Sequence, residues 1–112
     1  MPPRAAIVLQ TYPVGHYVYP SETGNKVPPN TTQVQLILNG NTAVPAGAKA
    51  EVILWLIWPG NPAWQPAANM VINSSSPAGS TSTVAWEDST DYKVSLDITG
   101  GTITIGADIN IT

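Results

Sequence analysis

The chain contains no cysteine and no phenylalanine, and only 4 of its 112 residues are Lys or Arg. Without cysteine it can form neither a disulfide nor a thiolate metal site. Arg4, Lys26, Lys49 and Lys93 are scattered and the net charge is −3. No basic patch is therefore available to hold a nucleic-acid backbone or an anionic bilayer, and neither nucleic acid nor membrane is expected as a partner. Long apolar runs are missing too. The longest, VILWLIW at residues 52–58, is far shorter than a bilayer span. The N-terminal MPPRAAIVLQTYPVG lacks the apolar length of a signal-peptide core, which leads to the expectation of a soluble chain made in the cytoplasm. No segment shows a 3.6-residue apolar period, so helices are not expected.

What is present is turn and strand chemistry. Eleven prolines and nine glycines accompany abundant Thr and Val, a composition of short strands and frequent turns. Six of the prolines fall within residues 1–31. Each fixes φ and removes a donor, which bars that segment from the centre of a sheet. RAAIVLQTY and HYVYP can still pair at an edge. The spacing predicts an extended Pro-rich arm, residues 1–30, laid over a sandwich domain, residues 31–112, or over a neighbour. The sandwich is expected to fold without it.

Beyond Thr31 the period changes to two. Val34, Leu36 and Leu38 alternate with Gln33, Gln35 and Ile37, the pattern of a half-buried strand. Residues 49–58 are apolar on both parities after Glu51, with Val52, Leu54, Leu56 and Trp58 on one face and Ile53, Trp55 and Ile57 on the other. Such a strand must be covered on both sides. Pro59, Pro62 and Pro66 predict a loop over residues 59–66, followed by strands at AANMVIN and TVAWE. In DYKVSLDIT the apolar residues are even-numbered, and in TITIGADINIT they are odd-numbered. A two-residue Gly100-Gly101 turn would pair Ile98 with Ile103, Leu96 with Ile105, Val94 with Ala107 and Tyr92 with Ile109, and set Lys93 opposite Asp108. Seven or eight such strands predict an all-β fold, an antiparallel β-sandwich or jelly roll.

Catalytic and metal chemistry find little support. His16 is the only histidine, with no nucleophile and orienting acid beside it in sequence, and no GxSxG elbow occurs. Glu87, Asp88 and Asp91 form the one acidic cluster, which lacks the ligand count for Ca²⁺ and reads as a turn. Glu51, Glu87 and Asp91 carry no mark of the buried carboxylate pair that glycoside hydrolysis requires. No cofactor, metal or enzymatic activity is expected. Three of four tryptophans fall within WLIWPGNPAW, residues 55–64. Parity sends Trp55 and Trp58 to opposite faces, so at least one belongs to the core. Trp64, bracketed by prolines, is expected to be exposed for sugar stacking or a protein contact. Trp64, Trp58, Tyr17 and Tyr19 are the interface candidates.

VPPNTTQVQLILNG, then VPAGAKAEVILWLIW with its Trp-bearing loop, then the ITGGTITIGADINI ending, together resemble small β-sandwich proteins encoded among the virion genes of tailed bacteriophages. The resemblance covers most of residues 27–112 and carries over no functional residue. It implies a capsid cement (decoration) protein on the virion capsid surface, or a small tail or fibre component. Such a protein would be made in the host cytoplasm, bound to the phage major capsid protein, and a homo-oligomer, dimer or trimer. The residues themselves leave open a carbohydrate-binding or adhesin module that uses exposed Trp and Tyr.

Overall fold

The computed structural model describes residues 4–27, 30–58, 60–75, 81–85 and 91–112. Their nine strands are β1 (Arg4–Tyr12), β2 (Gly15–Tyr19), β3 (Asn25–Lys26), β4 (Gln33–Leu38), β5 (Lys49–Trp58), β6 (Asn61–Ile72), β7 (Thr81–Ala85), β8 (Asp91–Thr99) and β9 (Ile103–Ile111). They form two antiparallel sheets, ordered β1-β9-β4-β7 and β2-β8-β5-β6, with the short β3 also pairing β8. With β3 set aside, this interleaving of early and late strands is jelly-roll order. No helix occurs among the described residues, as the period-two patterning predicts.

Alternation builds the core. Val34, Leu36 and Leu38 from β4 face Val52, Leu54 and Leu56 from β5, and all six are at most 2% exposed. β8 contributes Tyr92, Val94, Leu96 and Ile98, and β9 contributes Ile103, Ile105, Ala107, Ile109 and Ile111. At about 25 cal/mol per Å² of apolar surface removed from water, this layer is the main favourable contribution to folding.

The 91–111 region departs from the hairpin that its pattern suggests. β8 and β9 lie in different sheets. Leu96 pairs with Val52 and Tyr17, whereas Ile105 pairs with Gln10. Lys93 lies opposite Trp55, and Asp108 opposite Ala5 and Ile37. Gly100-Gly101 therefore carries the chain from one sheet to the other. The inference failed because a matched apolar parity on both sides of a turn is satisfied in two ways. The strands can lie side by side with one shared apolar face, or stack with their apolar faces turned towards each other. Gly100 has φ 79° and passes so close to Gly47 that a Cβ would meet the Gly47 carbonyl oxygen at 2.1 Å. That close approach follows from β5–β8 pairing, which sets Lys49 opposite Thr99.

Residues 4–26 are woven into both sheets, where the sequence suggested an arm laid over them. β1 is an edge strand against β9, and β2 an edge strand against β8. Pro13 and Pro20 flank these strands, so the prolines exclude a central position but permit an edge. Ile7 and Tyr12 reach the core at 1% and 3% exposure. β1 shifts register between Ile7 and Gln10, opposite Gly106, where a Cβ would lie 2.8 Å from the Leu9 Cα. Glycine at 106 thus makes room for the bulge.

Tyr12 donates a hydrogen bond to the Val8 carbonyl at 2.7 Å and packs edge-on against Tyr17. Burial, reinforced by the neighbouring Tyr19 phenol, pushes its phenol up to about 12 from the usual 10.0. Between these values the unfolded chain releases a proton that the folded chain keeps, so the unfolded state binds fewer protons and stability falls as pH rises through the window. Tyr12→Phe should lose about 1 kcal/mol at neutral pH with its hydrogen bond, yet lose less than the parent between pH 10 and 12. Denaturant midpoints measured across that range check both effects.

Candidate binding face on the β2-β8-β5-β6 sheet

The odd-numbered residues of β5 and β8 and the even-numbered residues of β2 point away from the core. Their register sets Val18, Ser95 and Ile53 in one row across the sheet, and His16, Asp97 and Glu51 in the next. Lys93 and Trp55 are cross-strand neighbours in the row beyond Ser95. This is the second apolar face of residues 49–58. It is only half-buried: Ile53, Trp55 and Ile57 all have intermediate exposure.

Trp64 joins this face from β6. Residues 61–66 are not the loop that their prolines suggest, and Pro59 lies outside the described residues. Asn61–Ile72 is one continuous strand paired with β5. β6 is an edge strand, so Pro62 and Pro66 need not donate to a second neighbour. Register shifts between Leu54 and Trp55 and between Leu56 and Trp58 absorb the extra residues and re-aim side chains locally. The Trp64 ring reaches Lys93, whose Nζ lies 4.6 Å from the ring centroid, a cation–π contact. It also abuts Gly24, where a Cβ would meet the ring at 2.8 Å and the Tyr92 carbonyl oxygen at 2.4 Å. Gly24 has φ 72°, so glycine supplies both the backbone conformation and the space.

A depression of about 140 Å³ lies between these groups, lined by Trp55, Trp64, His16, Lys93 and Glu22 with Ser95 at its base. Ser95 is 2% exposed and its hydroxyl accepts the Trp55 Nε1–H at 2.9 Å. This satisfies a buried polar group and fixes the indole plane. Lys93 Nζ lies 3.4 Å from the Glu22 carbonyl and 3.8 Å from its carboxylate. His16 Nδ1 pairs with Asp97 at 2.5 Å, and the Asn69 amide donates to Glu51 at 3.0 Å. The depression therefore offers two indoles, a cation and the Glu22 carboxylate, with the Asp97 and Glu51 carboxylates in the next row of the same face. That set suits a ligand with apolar faces and several hydroxyls.

Of the four interface candidates, only Trp64 lines the depression. Tyr17, Tyr19 and Trp58 pack against the core, and the Tyr17 hydroxyl donates to the Pro13 carbonyl at 2.8 Å. His16, Trp55, Lys93, Ser95 and Asp97 were not singled out together. Their only signal is shared parity, which becomes informative once β8 is known to pair with β5. Asp91 forms an ion pair with Lys26 at 3.2 Å, while Glu87 and Asp88 lie outside the described residues. Among the described residues, no three His, Asp or Glu side chains converge on a metal-sized space, and no helix is long and apolar enough to cross a membrane.

No protein-family model matches the chain, and no curated protein does. Among solved structures it is similar to the CBM22-1–GH10 modules of the Clostridium thermocellum endo-1,4-β-D-xylanase 10B complexed with xylohexaose, at 7% identity and a TM-score of 0.44. That likeness covers 96% of this chain and 28% of the other.

Proposed function

We propose that the protein is a non-enzymatic carbohydrate-binding domain. The observation that carries this reading is the convergence of Trp55, Trp64, Lys93 and His16 around one solvent-facing depression. Pyranose rings present C–H faces that stack on indole and hydroxyls that hydrogen-bond to carboxylates and ammonium groups. Here those groups stand on strands held from beneath by the core, so little ordering accompanies binding.

Affinity electrophoresis against a panel of soluble polysaccharides (xylans, β-glucans, mannans and bacterial envelope glycans) tests it. At least one should retard the protein. Trp64→Ala should weaken that retardation by tenfold or more while lowering stability by only about 1 kcal/mol, because the ring lies outside the core. Retardation unchanged in both Trp55→Ala and Trp64→Ala would remove the basis of the reading.

A second reading is attachment to a phage capsid shell as a cement protein in an oligomeric state. It is favoured by a different observation: Val8, Leu9 and Val14 are exposed on or beside the β1 edge, at 60%, 38% and 58%. Co-sedimentation with intact capsids, absent any polysaccharide retardation, would replace the carbohydrate reading with this one.

A further inference from the structure

A larger cavity lies elsewhere, between the two sheets at the edge formed by β1 on one side and by β2 and β3 on the other. Its volume is about 240 Å³. Val94 and Ile109, each 1% exposed, form its floor, and Ala6, Val8, Tyr19 and Pro20 form its walls. Register shifts in β1 fall on either side of Ile7. These shifts span Ala6 and Val8, which line the cavity, and such irregularities re-aim side chains locally.

The cavity opens to solvent along Val8, Pro20 and Asn25, all exposed, above the buried Val94 and Ile109, so an apolar ring seated in it would remove apolar surface from water. Its polar side chains are few. The Tyr19 ring packs edge-on against Tyr12, and Tyr92, which also lines the cavity, is 4% exposed. Asn25, exposed at the mouth, brings an amide within reach of a bound molecule. The walls therefore match a ligand with an apolar ring and one polar end.

We propose that this cavity is a second binding site, for a small planar apolar molecule carrying one hydrogen-bonding group, of the phenol or indole class. The ring lies over Val94 and Ile109, and the polar group meets Asn25.

The test is a titration of the full chain with phenol, indole and benzene, read by methyl NMR and thermal melting. All three should shift the Val94 and Ile109 methyl resonances and raise Tm with increasing concentration. Val8→Trp places a large ring on the rim at an exposed position; it should keep the parent's ligand-free melting and abolish these shifts. Asn25→Ala should weaken phenol about fivefold, the equivalent of one neutral hydrogen bond, and leave benzene unchanged. Unmoved Val94 and Ile109 methyls at millimolar ligand would overturn the proposal. So would shifts confined to the Trp55 and Trp64 indoles, or Val8→Trp binding as the parent does.

Discussion

A chain lacking residues 1–12 is expected to show no cooperative melting transition. β1 pairs along β9 from Ile103 to Ile109, and its removal uncovers that side of a core strand. It also removes Ile7 and Tyr12, both at most 3% exposed. Each such loss costs about 2–5 kcal/mol in a packed core. Their sum, with the lost strand pairing, is of the order of the whole stability of a domain this size, about 5–15 kcal/mol. Circular dichroism and calorimetry of the truncated chain decide the matter. A sharp transition within about 5 °C of the parent would mean that residues 4–12 contribute little to this core.

Gly100→Asn is expected to lower stability by about 3 kcal/mol and Tm by roughly 10 °C. The substitution tests how closely Gly100 packs on Gly47, beside the paired β5 and β8 strands. In a two-residue hairpin turn, asparagine is a favoured residue because it tolerates positive φ. In the sheet-to-sheet crossing, the Gly100 Cβ would sit 2.1 Å from the Gly47 carbonyl oxygen, a contact that backbone must move to relieve. Gly60→Asn is the matched control, at φ 81°. A Cβ there meets nothing within 4 Å, and its cost should stay within about 0.5 kcal/mol. Equal, small costs at both positions would contradict the close approach of Gly100 to Gly47. Denaturant unfolding of the three proteins is sufficient.

The candidate site was legible only in fragments. The sequence marks Trp55 and Trp64 as unusual and places Ile53, Trp55 and Ile57 on a face needing cover. It does not reveal that Lys93 and Ser95 lie beside Trp55, because those residues are about 40 positions away and their adjacency depends on β5–β8 pairing. The prolines misdirected the reading of residues 59–66. Proline forbids a ladder only where its nitrogen must donate, and at the edge of a sheet it need not.

The sequence by itself determined the class of structure and the composition of the core. Period-two alternation decides which side of a strand is buried, and Val34, Leu36, Val52, Leu54, Leu96 and Ile105 are all buried as their parity requires. Tertiary structure alone decided which strands are neighbours. Alternation assigns a side chain to a face but carries no label for the sheet, so a turn such as Gly100-Gly101 fits a hairpin and a crossing equally. The choice rests on non-local packing: stacking β8 over β9 lets β5 and β2 flank one and β4 and β1 the other. That arrangement encloses Leu96 and Ile105 on both sides within their own sheets, and it sets the odd-numbered residues of β8 beside Trp55 on the candidate face.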